Sequence, residues 1–242
     1  MFLSNFYKAD FHVHTPESHC FYPTSEAKEE DYKKLLRSVK ENSVDILAIT
    51  DHNTINGYKY LLQIKEKYAH ELETITKYSL KSESTKEVDE FISLFSEILI
   101  LPGIEYEAKP GIHLLMIFNP EIEIREIDDF LDKAGITPDM KGYDGKGCGR
   151  WHVEEALDQA STLDAIAIGA HADRDKGIYN DTKHGYRQQL FRNENLHGLE
   201  FRNLVNREKI KSLLKDPSYQ RKYALAWIST EGDSPKDLAP QP

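Results

Sequence analysis

The feature that most constrains this chain is an alternation of about seven short apolar runs with segments whose apolar residues recur at helical spacing. Ala9–His14, Val44–Thr50, Ile98–Leu101, Ile112–Phe118, Ala165–Ala170, Gly198–Phe201 and Tyr223–Ser229 read as strands. Glu29–Asn42, Asn56–Tyr68, the second half of Glu71–Ser96, Glu123–Lys133, His152–Ser161 and Asn206–Lys215 read as helices. In the second of these, Tyr60, Leu61, Ile64 and Tyr68 share one face. Strands that alternate with helices feed a parallel sheet. With this many units the sheet is expected to close into a β/α barrel, an open doubly wound sheet being the alternative. Two stretches interrupt the repeat, Asp139–Gly149 and Asp173–Gln189. Both are long enough to be active-site loops, and the first reads equally as a solvated connector.

A chain of 242 residues fits one large α/β domain, here expected over residues 1–238. Ala239–Pro242 reads as a tail or the start of a linker. No apolar run is long enough for a membrane span, and Met1 to Lys8 lacks the charged-then-apolar pattern of a signal peptide. Cys20 and Cys148 form no CxxC pair, so a reduced, cytoplasmic setting is expected. The net charge is −10, from 31 basic and 41 acidic residues. A chain this acidic is poorly suited to gripping long DNA. Bound divalent ions would offset that locally, three of them adding about +6 in one pocket.

Histidines and carboxylates recur where the strands end. His12 and His14 flank Val13, and residues two apart on a strand share a face, so both imidazoles can address one ion. Asp51 and His52 follow the second strand, Glu105 the third, and His171 the fifth. Glu231 and Asp233 follow the last. In a parallel barrel all these ends lie on one face, and imidazole and carboxylate are ligands suited to zinc, manganese or iron. His113 is out of place, because it opens its strand rather than closing it, unless Glu105–Ala108 belongs to the same hairpin. His70, His152, His184 and His197 read as scattered surface or helix residues.

The order of these pieces resembles the polymerase-and-histidinol-phosphatase (PHP) family of metal-dependent phosphoesterases. They are His12-Val13-His14-Thr15, Ile49-Thr50-Asp51-His52-Asn53, Pro102-Gly103-Ile104-Glu105, Gly111-Ile112-His113-Leu114-Leu115 and Ile168-Gly169-Ala170-His171-Ala172-Asp173-Arg174. The wording of the first and fifth is nearest the subgroup in which such a domain precedes an ATPase of the SMC or AAA-like type, so an ATPase domain or partner is implied. No Walker A sequence is present. The resemblance implies a distorted (β/α)7 TIM-like barrel holding two or three divalent ions, Mn, Zn or Fe. It places His12 and His14 on the first ion, Glu105 between the first and second, His113 and His171 on the second, and His52 on the third. His19 stands where the family often adds a third-site ligand, and reads equally as an exposed loop residue. Asp51 is a candidate catalytic carboxylate, a ligand or an acceptor that orients an imidazole.

The last motif departs from the family, which ends in Asp-x-His. In Ser229-Thr230-Glu231-Gly232-Asp233-Ser234-Pro235, either Glu231 and Asp233 take those places, or Asp233 and Pro235 do. Both alignments lose the terminal histidine, which puts the third ion and the activity in question. The implied chemistry is attack on a phosphate ester by metal-activated hydroxide, on a nucleotide, a nucleic-acid end or a small ester. Arg174, Lys176 and Arg202 are candidate phosphate-binding residues, Arg174 foremost because it lies three positions past His171. The competing readings are a decayed domain that serves as a docking or regulatory module, and an amidohydrolase-like metal enzyme. Cys20 could approach the metals but reads more simply as a free loop thiol.

Overall fold

The computed structural model describes residues 6–78 and 83–229. Seven strands form one sheet in chain order: β1 (Ala9–Val13), β2 (Ile46–Ile49), β3 (Leu99–Ala108), β4 (Ile112–Ile117), β5 (Ile166–Gly169), β6 (Gly198–Phe201) and β7 (Ala226–Ser229). Helices α1 (Lys28–Glu41), α2 (Asn56–Tyr78), α3 (Glu83–Glu97), α4 (Ile124–Lys133), α5 (Val153–Ser161), α6 (His184–Arg192) and α7 (Leu204–Leu213) fill the connections. Helical spacing works as the sequence suggests. In α4, for example, Ile127, Phe130 and Leu131 are the buried residues, one stripe turned to the sheet.

Two expectations need correction. Among the described residues β7 does not pair with β1, so the sheet is a curled half-barrel and not a closed barrel. Nor are all strands parallel: β4 runs antiparallel to both β3 and β5. The cause is local. β3 and β4 are joined by the short turn Lys109–Gly111, and a connection this short can only reverse the chain. In addition, the stretch Asp173–Gln189 is not all loop, since α6 begins at His184.

β3 is also longer than its apolar run. Leu99–Pro102 pairs with β2, and Gly103–Ala108 pairs with β4. The strand therefore gains β4 on its second edge at Gly103, where the sequence pattern suggested an end, while the residues after β2 stay beside it, His52 bridging Glu105 in parallel.

The period of two sorts the side chains. Outward residues such as Leu47, Ile49, Ile104, Leu114, Met116, Leu199 and Phe201 join the large core beneath the helices. Ala48, Leu115, Ile117, Ile168 and Ala170, with Phe11, Leu101 and Ile228 against them, form a second, smaller core on the concave face. Continuing along that face, Leu101 leads to Glu105 and Glu107 on β3, and Ile117 and Leu115 lead to His113 on β4. The apolar plug fills one end of the half-barrel and the ionisable residues gather at the other.

Candidate metal centre

Glu105 is the hub. It is 1% exposed, and five imidazoles face its two oxygens. Oε1 lies 2.7 Å from His113 Nδ1 and 3.2 Å from His171 Nε2. Oε2 lies 3.2 Å from His12 Nε2, 3.0 Å from His14 Nε2 and 2.9 Å from His52 Nδ1. These residues come from β1, β3, β4 and the loops after β2 and β5, all at one end of the sheet. The reversal of β4 explains His113: the start of an antiparallel strand lies beside the ends of its neighbours.

Loop contacts hold the ring of imidazoles. Asp51 is fully buried and accepts hydrogen bonds from Thr15 N (2.7 Å), Thr15 Oγ1 (2.7 Å) and Ser18 Oγ (2.6 Å). Ser18 Oγ in turn accepts from His52 N at 3.1 Å. Asp51 thus ties the segment after His14 to the segment carrying His52. Gly57 on α2 makes room for it, since a Cβ there would fall 2.0 Å from Asp51 Oδ2. The glycine-rich stretch Asp139–Gly149 comes down over the site: Gly142 N donates to His52 O (2.7 Å) and Gly145 N to Glu107 Oε2 (3.1 Å). From this loop Asp144 reaches within 3.3 Å of His113 Nε2.

Besides Glu107 and Asp144, which face His113 Nε2, two further side chains at the site were not singled out as ligands in the sequence. Glu200, from β6, is fully buried and sets Oε2 2.8 Å from His12 Nδ1, while accepting from His171 N at 2.8 Å. Its only sequence signal is one acid inside the apolar run Gly198–Phe201. Cys20 places Sγ 2.8 Å from His14 Nδ1.

The other candidates are placed differently. The ring of His19 stacks on Tyr143, with centroids 3.4 Å apart. Arg174 is exposed beside the site, its backbone N–H bonded to His171 O. Lys176 is bonded to Asp144 and lies 3.2 Å from Glu107 Oε1, so its charge is already matched. Arg202 N donates to Asp173 Oδ1 at 3.1 Å. Glu231 and Asp233 lie outside the described residues.

The electrostatics are those of buried carboxylates and imidazoles that favour one another's charged forms. Burial alone would raise the Glu105 carboxyl, but the surrounding histidines hold it well below the usual range. Burial likewise opposes charge on the imidazoles, yet Glu200 and Glu105 raise His12 well above its ordinary value, and His52, facing Glu105 and Cys20, is pushed up to about 10. Burial would also raise the Cys20 thiol, but His14 and His52 bring it down to about 6.

These residues fit divalent ions. A carboxylate offers about four lone-pair sites, and five imidazoles crowd Glu105. His171 Nδ1 and Glu200 Oε1 are buried with no hydrogen-bond partner. Four overlapping groups bring candidate ligand atoms within 4.8 Å of one another: His12, His14 and Glu105; His52, Glu105 and His113; His14, Cys20 and His52; Glu107, His113 and Asp144. Neutral imidazole nitrogen with carboxylate oxygen is a donor set for zinc, manganese or iron.

Among the described residues no helix is long and apolar enough to cross a membrane. No family model and no curated protein matches the sequence. Solved structures do share the fold. The lesion-specific endonuclease Q of Pyrococcus furiosus superposes with a TM-score of 0.63 at 16% identity, over 96% of this chain and 50% of that one. An endonuclease Q complex with a 27-mer duplex carrying an abasic lesion gives 0.53 at 16% identity, over 79% of this chain and 41% of that one. The chain therefore spans about half the length of these endonucleases or less. A protein of Bifidobacterium adolescentis described as a metal-dependent phosphoesterase gives 0.55 at 13% identity, over 98% of this chain and 90% of that one. The half-barrel is thus the fold of an endonuclease and of a protein described as a metal-dependent phosphoesterase.

Proposed function

We propose that this chain is a metal-dependent phosphoesterase of the PHP family. The observation that carries the reading is the convergence of five histidines on one buried glutamate, at the end of the sheet where the sequence motifs end. The motif order and the shared fold support it together, while neither does so alone. His12, His14, His52, His113 and His171 would hold two or three divalent ions around Glu105. Bound there, such ions would supply a hydroxide near neutral pH and neutralise charge on the phosphoryl oxygens.

The remaining roles belong to the protein's own side chains. Asp51, locked to Thr15 and Ser18, positions the two segments that carry His14 and His52. It acts through other residues, because its carboxylate is already committed to them. Glu200 fixes the ring of His12: with its proton on Nδ1 donated to Glu200, that ring presents Nε2 to the Glu105 side. Arg174, exposed at the rim, is the residue we assign to gripping a substrate phosphate.

A nucleotide or nucleic-acid end is the favoured substrate, since the endonuclease Q structures share the fold and one of them holds DNA. The net charge of −10 argues for a short recognised segment and against broad contact with a duplex. Linkage to an ATPase of the SMC or AAA-like type rests on the sequence resemblance alone.

The test is metal content by elemental analysis on protein purified without chelator, followed by hydrolysis of a phosphodiester and a phosphomonoester. A His12→Ala/His14→Ala variant serves as the control. The expected result is two or three ions per chain, fewer in the variant, with hydrolysis lost alongside them. Less than half an equivalent, unchanged in the variant and not restored by added metal, would turn the reading toward a non-catalytic docking module.

A further inference from the structure

We propose that Cys20 is a metal ligand, its thiolate joining His14 and His52 to hold a cation on the outer side of the Glu105 cluster. The proposal rests on the reading that this site binds metal at all. Three observations lead to it.

The first is reach. Of the two neighbouring side chains in the loop after β1, His19 turns its ring onto Tyr143 and its backbone N–H onto Gly142 O. Cys20 turns the other way and sets Sγ 2.8 Å from His14 Nδ1. The second is the donor set. One ligand atom from each of His14, Cys20 and His52 fits within 4.8 Å of the others, which is the spacing of atoms sharing one ion. The third is the way the two rings lie. They meet edge to face with centroids 4.4 Å apart, and each already points one nitrogen at Glu105: His14 through Nε2, His52 through Nδ1. The nitrogen that His14 turns away from Glu105 is the one that meets the thiol. Cys20 thus sits across the rings from the hub, and a cation there would take His14 through Nδ1; where the same ring also serves an ion on the Glu105 side through Nε2, it does so as a bridging imidazolate whose last ring proton is released to solvent on binding.

The chemical consequence is selectivity. Thiolate is a soft ligand that favours zinc and iron(II) over manganese, so a sulfur here biases the site toward the thiophilic metals. Two imidazoles and one thiolate leave the fourth position of a tetrahedral ion open, as a reactive site requires. The backbone that carries Cys20 is fixed from both sides: Phe21 N donates to Ser18 O, closing a turn around it, and His19 N donates to Gly142 O.

The test is cobalt(II) titration of the metal-free full chain, read both by bound cobalt per chain and by the near-ultraviolet thiolate-to-cobalt charge-transfer band. Wild type, Cys20→Ser, His19→Ala and His12→Ala/His14→Ala are compared. The expected result is a band in wild type and in His19→Ala. Cys20→Ser should lose the band together with about one equivalent of cobalt, while keeping cobalt on the Glu105 side. Because Cys20 is exposed, the serine variant should fold, which circular dichroism would verify. Full cobalt loading with no charge-transfer band in wild type would overturn the assignment of Cys20 and leave the metal centre standing. A band that survives in Cys20→Ser would overturn it equally. Failure of wild type to bind cobalt at all would count against the metal centre itself and take this proposal with it.

Discussion

At the scale of single residues, the site depends on groups that touch the imidazoles from behind. Glu200 shows why. His12 has one nitrogen 3.2 Å from Glu105 and the other 2.8 Å from Glu200. A histidine that is to donate a lone pair to a metal must keep its proton on the opposite nitrogen, and a buried carboxylate beside Nδ1 enforces this. Glu200→Ala removes the acceptor, frees the ring to rotate and leaves the His171 N–H without its partner. Metal affinity should fall by about 10- to 100-fold, the usual effect of losing such a partner. Glu200→Gln keeps the size and can still accept from Nδ1–H, so it should lose less. The comparison by competition with a chromophoric chelator checks this. Equal affinity in wild type and Glu200→Ala would show that the ring is held without Glu200. In the sequence this residue was a single acid in a short apolar run, and nothing local marks it. Only the alternation of β6, with Leu199 and Phe201 in the outer core, turns it inward.

At the scale of elements, the strands were legible and their directions were not. Apolar runs located the strands closely except β3, whose start was found and whose end, at Ala108, lies well past the expected Leu101; the runs work because a strand buried on both faces must be apolar. The His-rich end was legible as a cluster because most of its imidazoles follow such runs. Antiparallel β4 was not, since hydrophobicity carries no direction, and only the misplaced His113 and the short Lys109–Gly111 turn hinted at it. Pro102-Gly103 misled for a physical reason. It reads as a turn, yet in the structure it is where regular pairing with β2 ends and β4 joins the other edge of β3. Proline lacks a ladder N–H, so it suits a point where pairing changes. Gly103 suits it because a Cβ there would lie 3.0 Å from Ile49 O, 3.1 Å from Met116 O and 2.9 Å from Thr50 Cγ2. Two of these are backbone atoms of neighbouring strands, which cannot swing aside. Gly103→Ala should therefore destabilise the chain by about 1–3 kcal/mol, the range for overpacking. Glu105 stands two residues on, along the same face, so metal affinity should fall as well. Urea denaturation of the metal-free variant would measure the first effect, and unchanged stability would mean that the strands part easily at this point.

At the scale of the whole molecule, the cluster should couple metal binding to folding. Its ligands stand at positions 12 to 171, and only the folded sheet brings them together, so metal binds the native state and not the unfolded chain. At a free metal concentration of 100 Kd this adds about 2.7 kcal/mol to stability. For a chain of this size that raises Tm by roughly 5–10 °C. The pH dependence has opposite signs with and without metal. In the metal-free protein burial works against charge on the imidazoles, but Glu105 and Glu200 more than offset it for His12. Glu105 does so for His113, and Glu105 with Cys20 for His14 and His52. A histidine whose folded pKa is raised gives a contribution that is complete below about 6.5, its unfolded value, and lost as pH climbs through the folded value. For His52 that window runs from about 6.5 to about 10. The metal-free protein should therefore lose Tm steadily across it, as the buried carboxylates give up their protonated partners. With metal the logic inverts. Cation and protons compete for the same nitrogens, so rising pH frees the ligands, tightens binding and holds Tm up. The two melting curves should diverge from pH 6.5 upward, in chelator on one side and in zinc on the other. Calorimetry in buffers of different ionisation enthalpy should also show protons released on metal uptake at neutral pH. Parallel curves with no proton release would mean that His12, His14, His52 and His113 are neutral before metal arrives, and that Glu105 is stabilised by hydrogen bonds without the help of their charge.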